Sequence, residues 1–145
     1  MRMTDWPVPS PDATKHSEEL KAHIVEIIRK QGPISFAEYM QQALYAPGLG
    51  YYSAGTQKFG PSGDYITAPE LSSLFSYSVA CQLQQVLNDF PEASILELGA
   101  GLGTMAADIL IELERCQSLP DRYYILEVSA DLRERQHKNL SLIHI

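Results

Sequence analysis

A chain of 145 residues, 45% hydrophobic and 20% charged, has the length and composition of one globular domain. Its net charge of -7 excludes a basic nucleic-acid surface and gives no attraction to anionic membranes. It leaves open a Lys- or Arg-rich protein partner, and no apolar run approaches the roughly 18 residues of a membrane span.

Residues 1–16 read as an extended leader, because Pro7, Pro9 and Pro11 lack an N–H and fix φ. The stretch "MRMTDWPVPSPDATK" has neither an apolar signal core nor an Arg-rich amphipathic pattern, so a cytoplasmic location is expected. Residues 17–92 read as a helical N-terminal extension that contains a loop over 46–68. Within it, Leu20, Ile24, Ile27 and Ile28 form one helical stripe over 17–31, stopped by Gly32 and Pro33. Ser35 and Glu38 form a capping box for a helix over 35–45, with Phe36, Tyr39, Met40, Ala43 and Leu44 as its buried face. The following stretch, residues 46–70, holds five of the nine glycines, interleaved with Tyr51, Tyr52, Phe59 and Tyr65. Its aromatic content favours an ordered functional loop, the alternative being a surface connection packed by its own tyrosines. Pro69 and Glu70 suit the start of a long helix over 69–90, with Leu71, Leu74, Phe75, Ser78, Val79, Leu83, Val86 and Leu87 inward.

The pattern then alternates. Strand 94–100, helix 104–116, strand 122–129 and helix 130–140 predict a βαβα unit of a parallel sheet, the start of a Rossmann-like domain over 93–145. Met105, Ile109, Leu110 and Leu113 face inward on the first of these helices, and Leu132 and Leu140 on the second. Two parallel strands do not make a stable open sheet, so the chain is expected to stop part-way through that domain. Cys81 and Cys116 are expected to be buried free thiols, and the four histidines show no metal spacing.

Residues 95–104, "ILELGAGLGT", carry Gly99, Gly101 and Gly103 after a strand and before a helix. A dinucleotide fingerprint needs its third glycine three residues after the second, and here it comes after two. A phosphate-binding P-loop needs a nearby Lys, and none is present. Glu97, two residues before Gly99, would oppose a phosphate by about 1 kcal/mol or more. The sulfonium and ammonium of S-adenosylmethionine suit a carboxylate instead. The pattern E-x-G-x-G-x-G resembles the first motif of class I methyltransferases. Glu127, 24 residues past Gly103, stands near where a second strand-end acid grips ribose hydroxyls. A nicotinamide oxidoreductase is the weaker reading.

The segments "GPISFAEYMQQALYAPGLGYYS", "KFGPSGDYITAPELSSLF", "ILELGAGLGT" and "YYILEVSADLRERQ" resemble, in order, the family of MidA and the NADH dehydrogenase complex I assembly factor 7. The resemblance covers residues 32–137. It implies a Rossmann-like class I fold, α/β in class, with an α-helical N-terminal extension. It also implies S-adenosylmethionine as cofactor and a protein substrate, methylated on arginine in connection with respiratory complex assembly. The donor-binding residues so implied are Glu97, Gly99, Gly101, Gly103 and Glu127, with Ala100 and Val128 beside them. Gly63, Asp64, Thr67, Pro69 and Glu70 would form a second loop near the same pocket. Asp64 and Glu70 are candidate catalytic acids that could hold a guanidinium. On their own chemistry Asp64 is equally a turn residue and Glu70 a helix-start charge. No general base stands out. Ser76 follows "LF" where the family has a glycine, and the family's "NEVLDA"-like segment does not occur in the chain. On that reading the chain alone is inactive. The alternative is an assembly or interaction protein that keeps the fold with little turnover.

Overall fold

The computed structural model describes residues 8–55 and 63–141. Residues 1–7 of the leader expected over 1–16, the centre of the loop at 56–62 with Phe59, and residues 142–145 lie outside the described residues. The chain forms two compact units that divide between Ala54 and Gly55.

The first unit pairs helices α1 (Pro11–Gln31) and α2 (Phe36–Tyr45). Helix α1 begins inside the segment expected to be extended. Ser10 is the reason: it is extended itself, and its Oγ accepts the Ala13 N–H at 3.2 Å. A proline at the first helical position lacks only an N–H that the helix does not use. The capping box at α2 forms as expected, with the Ser35 N–H donating to Glu38 Oε2 at 2.8 Å and the Glu38 N–H to Ser35 Oγ at 3.2 Å. The Ser35 N–H and hydroxyl, both donating to Glu38 Oε2, hold the Glu38 carboxyl below its ordinary range. Phe36 and Tyr39 are exposed rather than buried, and they stack on each other. Within this unit α2 packs on α1, and Met40, Ala43 and Leu44 are half-buried. His16 Nε2–H donates to the Leu49 carbonyl at 2.8 Å, and His23 Nε2 meets Gln42 Oε1 at 3.0 Å. The described start of the long loop is a compact turn. Tyr51 and Tyr52 N–H groups donate back to the Ala43 and Leu44 carbonyls, and Tyr52 stacks on Tyr45. That part of the loop is therefore a connection packed by its own tyrosines.

The second unit begins with α3 (Ala68–Leu71) and α4 (Ser73–Asp89), where the sequence predicts one helix over 69–90. Ser72 breaks it. Its backbone is extended, its N–H closes α3 on the Ala68 carbonyl, and its Oγ accepts the Leu74 N–H to open α4. The break changes which residues turn inward. Leu71, Leu74, Phe75 and Val86 are exposed, and the inner stripe of α4 is Ser76, Ala80, Leu83 and Leu87. Cys81 on α4 is exposed and Cys116 half-buried, so the two free thiols are not the buried pair expected.

Strands β1 (Ile95–Leu98) and β2 (Tyr123–Leu126) pair in parallel, Ile95 against Tyr123 through Leu98 against Leu126. Helix α5 (Thr104–Arg115) connects them, and α6 (Ala130–Leu140) follows β2. The core lies between α4 and α5, where Ala80, Leu87, Ile109 and Leu113 are buried and Ile95, Tyr123 and Met105 pack onto them. The other sheet face, with Leu96, Leu98, Tyr124 and Leu126, is exposed.

Candidate functional site

The site grows out of the strand register. Leu98 pairs with Leu126, and the Gly99 N–H then donates to the Leu126 carbonyl at 2.9 Å. Both strands thus end at one edge, the carboxyl edge at which parallel α/β sheets bind ligands. Continuing the register by one residue sets Gly99 level with Glu127.

Gly99, Gly101 and Gly103 have φ of 71, 55 and 83°, all in the left-handed region. Any other L-residue would cost roughly 1–2 kcal/mol at each. The Gly103 N–H closes the turn on the Ala100 carbonyl at 2.8 Å, and Gly103 opens α5. A Cβ on Gly103 would rest 3.5 Å from Leu140 Cγ and 3.6 Å from Gln136 Cγ, whereas a Cβ on Gly99 would meet nothing within 4 Å. Gly103 therefore packs against α6, and Gly99 exposes bare backbone to open space. Ala100 between them is buried, and Val128 beyond β2 is 59% exposed.

Glu97 lies on the half-buried face of β1 together with Ile95, facing Tyr123 and Ile125 of β2. The Tyr123 hydroxyl donates to Glu97 Oε2 at 2.9 Å. Burial pushes the Glu97 carboxyl up, and the tyrosine's hydrogen bond offsets part of that. Burial and the neighbouring carboxylate together push the Tyr123 hydroxyl well above its ordinary range, so it stays a donor. Glu127 is held at both oxygens. Oε1 accepts the Ser129 N–H at 2.9 Å, and Oε2 accepts from Gln136 Nε2 at 3.3 Å.

The second expected loop leads into α3, which packs against α5, the helix that leaves the glycine turn. Asp64 is exposed in the bend after Gly63. Pro69 and Thr67 start α3, and Glu70 Oε2 accepts the Thr67 N–H at 3.3 Å, the local helix-start role.

Three contributors escaped the sequence reading. Tyr123 was readable only once the register was known, because it partners Glu97 diagonally across the strands. Gln136 and Asn139 donate to the carbonyls of Gly101 and Leu102, each at 2.9 Å. A signal for them existed: Gln136 lies midway between Leu132 and Leu140 on the inward face of α6, and Asn139 shares that face.

Residues 78–144 match a family model described as "Putative S-adenosyl-L-methionine-dependent methyltransferase". The protein arginine methyltransferase NDUFAF7 homolog, mitochondrial, of Caenorhabditis elegans is 34% identical over 92% of this chain and 32% of its own length. The Danio rerio protein arginine methyltransferase NDUFAF7, mitochondrial, is 32% identical over 94% of this chain and 34% of its own length. The chain thus spans about a third of the length of these curated relatives. A COG1565 superfamily member from Burkholderia thailandensis, solved bound to S-adenosyl-homocysteine, superposes with a TM-score of 0.83 at 42% identity. That match covers 95% of this chain and 37% of the other. The cytoplasmic expectation is corrected by the same comparison, since these relatives are named as mitochondrial proteins. The βαβα unit is that of a Rossmann-like class I methyltransferase fold, and over nearly its whole length the chain is similar to members of the MidA and NDUFAF7 family of S-adenosylmethionine-dependent methyltransferases.

Proposed function

We propose that this chain carries the donor-binding portion of a protein arginine methyltransferase that uses S-adenosylmethionine. The observation that carries the reading is the left-handed conformation of Gly99, Gly101 and Gly103, set between strand-end acids Glu97 and Glu127. Bare backbone at Gly99 gives a ligand close approach, and the carboxylates suit a donor with two cationic groups and a ribose. A phosphate-bearing cofactor would meet repulsion from Glu97. S-adenosylmethionine supplies an electrophilic methyl group.

In this reading the cationic end of the donor lies toward Glu97, and Glu127 takes the ribose hydroxyls. Gly99, Ala100, Gly101 and Gly103 form the backbone floor, and Val128 offers an apolar surface beside the adenine. The Thr67 contact supports a structural role for Glu70, and we assign the guanidinium of the acceptor to Asp64. The arginine acceptor rests on the names of the relatives.

Calorimetric titration of the full-length protein with S-adenosyl-homocysteine tests the donor half, with Gly101→Val expected to abolish binding. Equal binding by that variant would overturn the assignment of the turn. Transfer of labelled methyl from S-adenosylmethionine to proteins of a source extract, followed by hydrolysis, tests the acceptor. Label in methylarginine is expected, and label confined to other residues would overturn the arginine reading while leaving the donor site standing.

A further inference from the structure

Helix α6 is the least apolar of the helices that pack into the second unit, and its inward face holds a polar residue where packing alone would choose leucine. Gln136 is 5% exposed and stands one turn from both Leu132 and Leu140. Its side-chain nitrogen lies 2.9 Å from the Gly101 carbonyl and 3.3 Å from Glu127 Oε2. Both partners only accept, so the group facing them is the NH2, and its two hydrogens match the two acceptors. One side chain therefore bridges the glycine turn after β1 to the acid after β2.

The surroundings leave that bridge little freedom. The other carboxylate oxygen of Glu127 is taken by the Ser129 N–H, and Ser129 itself is buried and caps α6 through its Oγ to the Leu132 N–H. Arg133 donates to the Glu127 carbonyl at 3.2 Å. Asn139 holds the next carbonyl of the turn, that of Leu102. A carboxylate offers about four acceptor positions, and the described residues use two of them.

Resting on the donor reading above, we propose that Gln136 is a positioning residue: its amide fixes the Glu127 carboxylate against the glycine turn so that it faces the ribose hydroxyls of the donor. It acts through Glu127 and touches no reacting atom. Removing the amide leaves the Gly101 carbonyl and Glu127 Oε2 without that donor, so some loss of stability accompanies any apolar replacement and does not by itself show the positioning role.

The test compares S-adenosyl-homocysteine with its analogue lacking the ribose hydroxyls, titrated calorimetrically into the full-length protein. The unsubstituted protein is expected to prefer the ribose ligand by about tenfold or more, the worth of a hydrogen bond to a charged group. Gln136→Met, with some loss of thermal stability, is expected to bring that ratio close to one. Gln136→Leu, also without donors and alike in kind to Leu132 and Leu140 one turn away, is expected to do the same and stands in should the methionine variant fold poorly. Added to Glu127→Gln, neither substitution should lower the ratio further. A variant that weakens both ligands equally, or changes neither, overturns the proposal and leaves Gln136 a packing residue. An unsubstituted protein that binds neither ligand overturns the donor reading first, before any variant is compared.

Discussion

Burial raises the Glu97 carboxyl, so the folded chain holds a proton there at a pH where the unfolded chain has released it. Stability then falls as pH rises from the ordinary carboxyl range through the raised one, and the loss persists at neutral pH. Glutamine at this position keeps an oxygen to accept the Tyr123 hydroxyl and never ionises. Glu97→Gln is therefore expected to be more stable than the unsubstituted protein at pH 7, and equal to it near pH ~4, where both side chains are neutral. Urea denaturation at the two pH values measures this. A variant less stable at pH 7 would mean that the ionised carboxylate is favoured by the fold. The same variant should bind S-adenosylmethionine more weakly, since the charge that folding disfavours is the one assigned to the donor. A residue that costs stability and serves a ligand is the usual mark of a functional site.

At the scale of elements, what could be read from sequence depended on whether a backbone requirement or a packing choice fixed the feature. Three positive φ values in one turn demand glycine, so Gly99, Gly101 and Gly103 announced their conformation in advance. The helix that the sequence predicts over 130–140 has its observed bounds, and in the structure Ser129 caps its start. The break between α3 and α4 was not legible, because apolar spacing runs across Ser72 without interruption and serine also occurs inside helices. The sequence therefore put Leu74 and Phe75 inside, and the true stripe of α4 passes through Ser76. Ser76 is fully buried, and its Oγ has no hydrogen-bond partner among the described residues. Such a hydroxyl costs about 1–3 kcal/mol, and alanine is also the better helix former. Ser76→Ala is expected to stabilise the chain by about 1 kcal/mol or more in thermal or urea unfolding. A loss of stability instead would mean that a ligand or water satisfies the hydroxyl.

For the molecule as a whole, the decisive feature is the sheet's uncovered face. Alternation sends Ile95, Glu97, Tyr123 and Ile125 to one side, where α4 and α5 pack. It sends Leu96, Leu98, Tyr124 and Leu126 to the other, where they are 63, 69, 48 and 61% exposed. Parallel sheets in α/β folds are covered on both faces. Four adjacent large apolar side chains form the kind of patch that binds another surface or aggregates. Expressed as these 145 residues, the chain is expected to bind a hydrophobic dye such as anilinonaphthalene sulfonate and to self-associate at micromolar concentration. Leu98→Thr with Leu126→Thr removes two apolar neighbours paired across the strands and puts β-branched residues suited to strands in their place. That double variant should lower dye binding and association while leaving far-ultraviolet dichroism unchanged. Equal dye binding in the two proteins would move the responsible surface elsewhere. An absence of dye binding in the unsubstituted chain would show that this face is already covered. The glycine turn, Glu127 and α6 are tied together by hydrogen bonds within the second unit. Donor binding and dye binding should therefore vary independently across these variants, and a threonine pair that lowered both would show that the open face supports the turn.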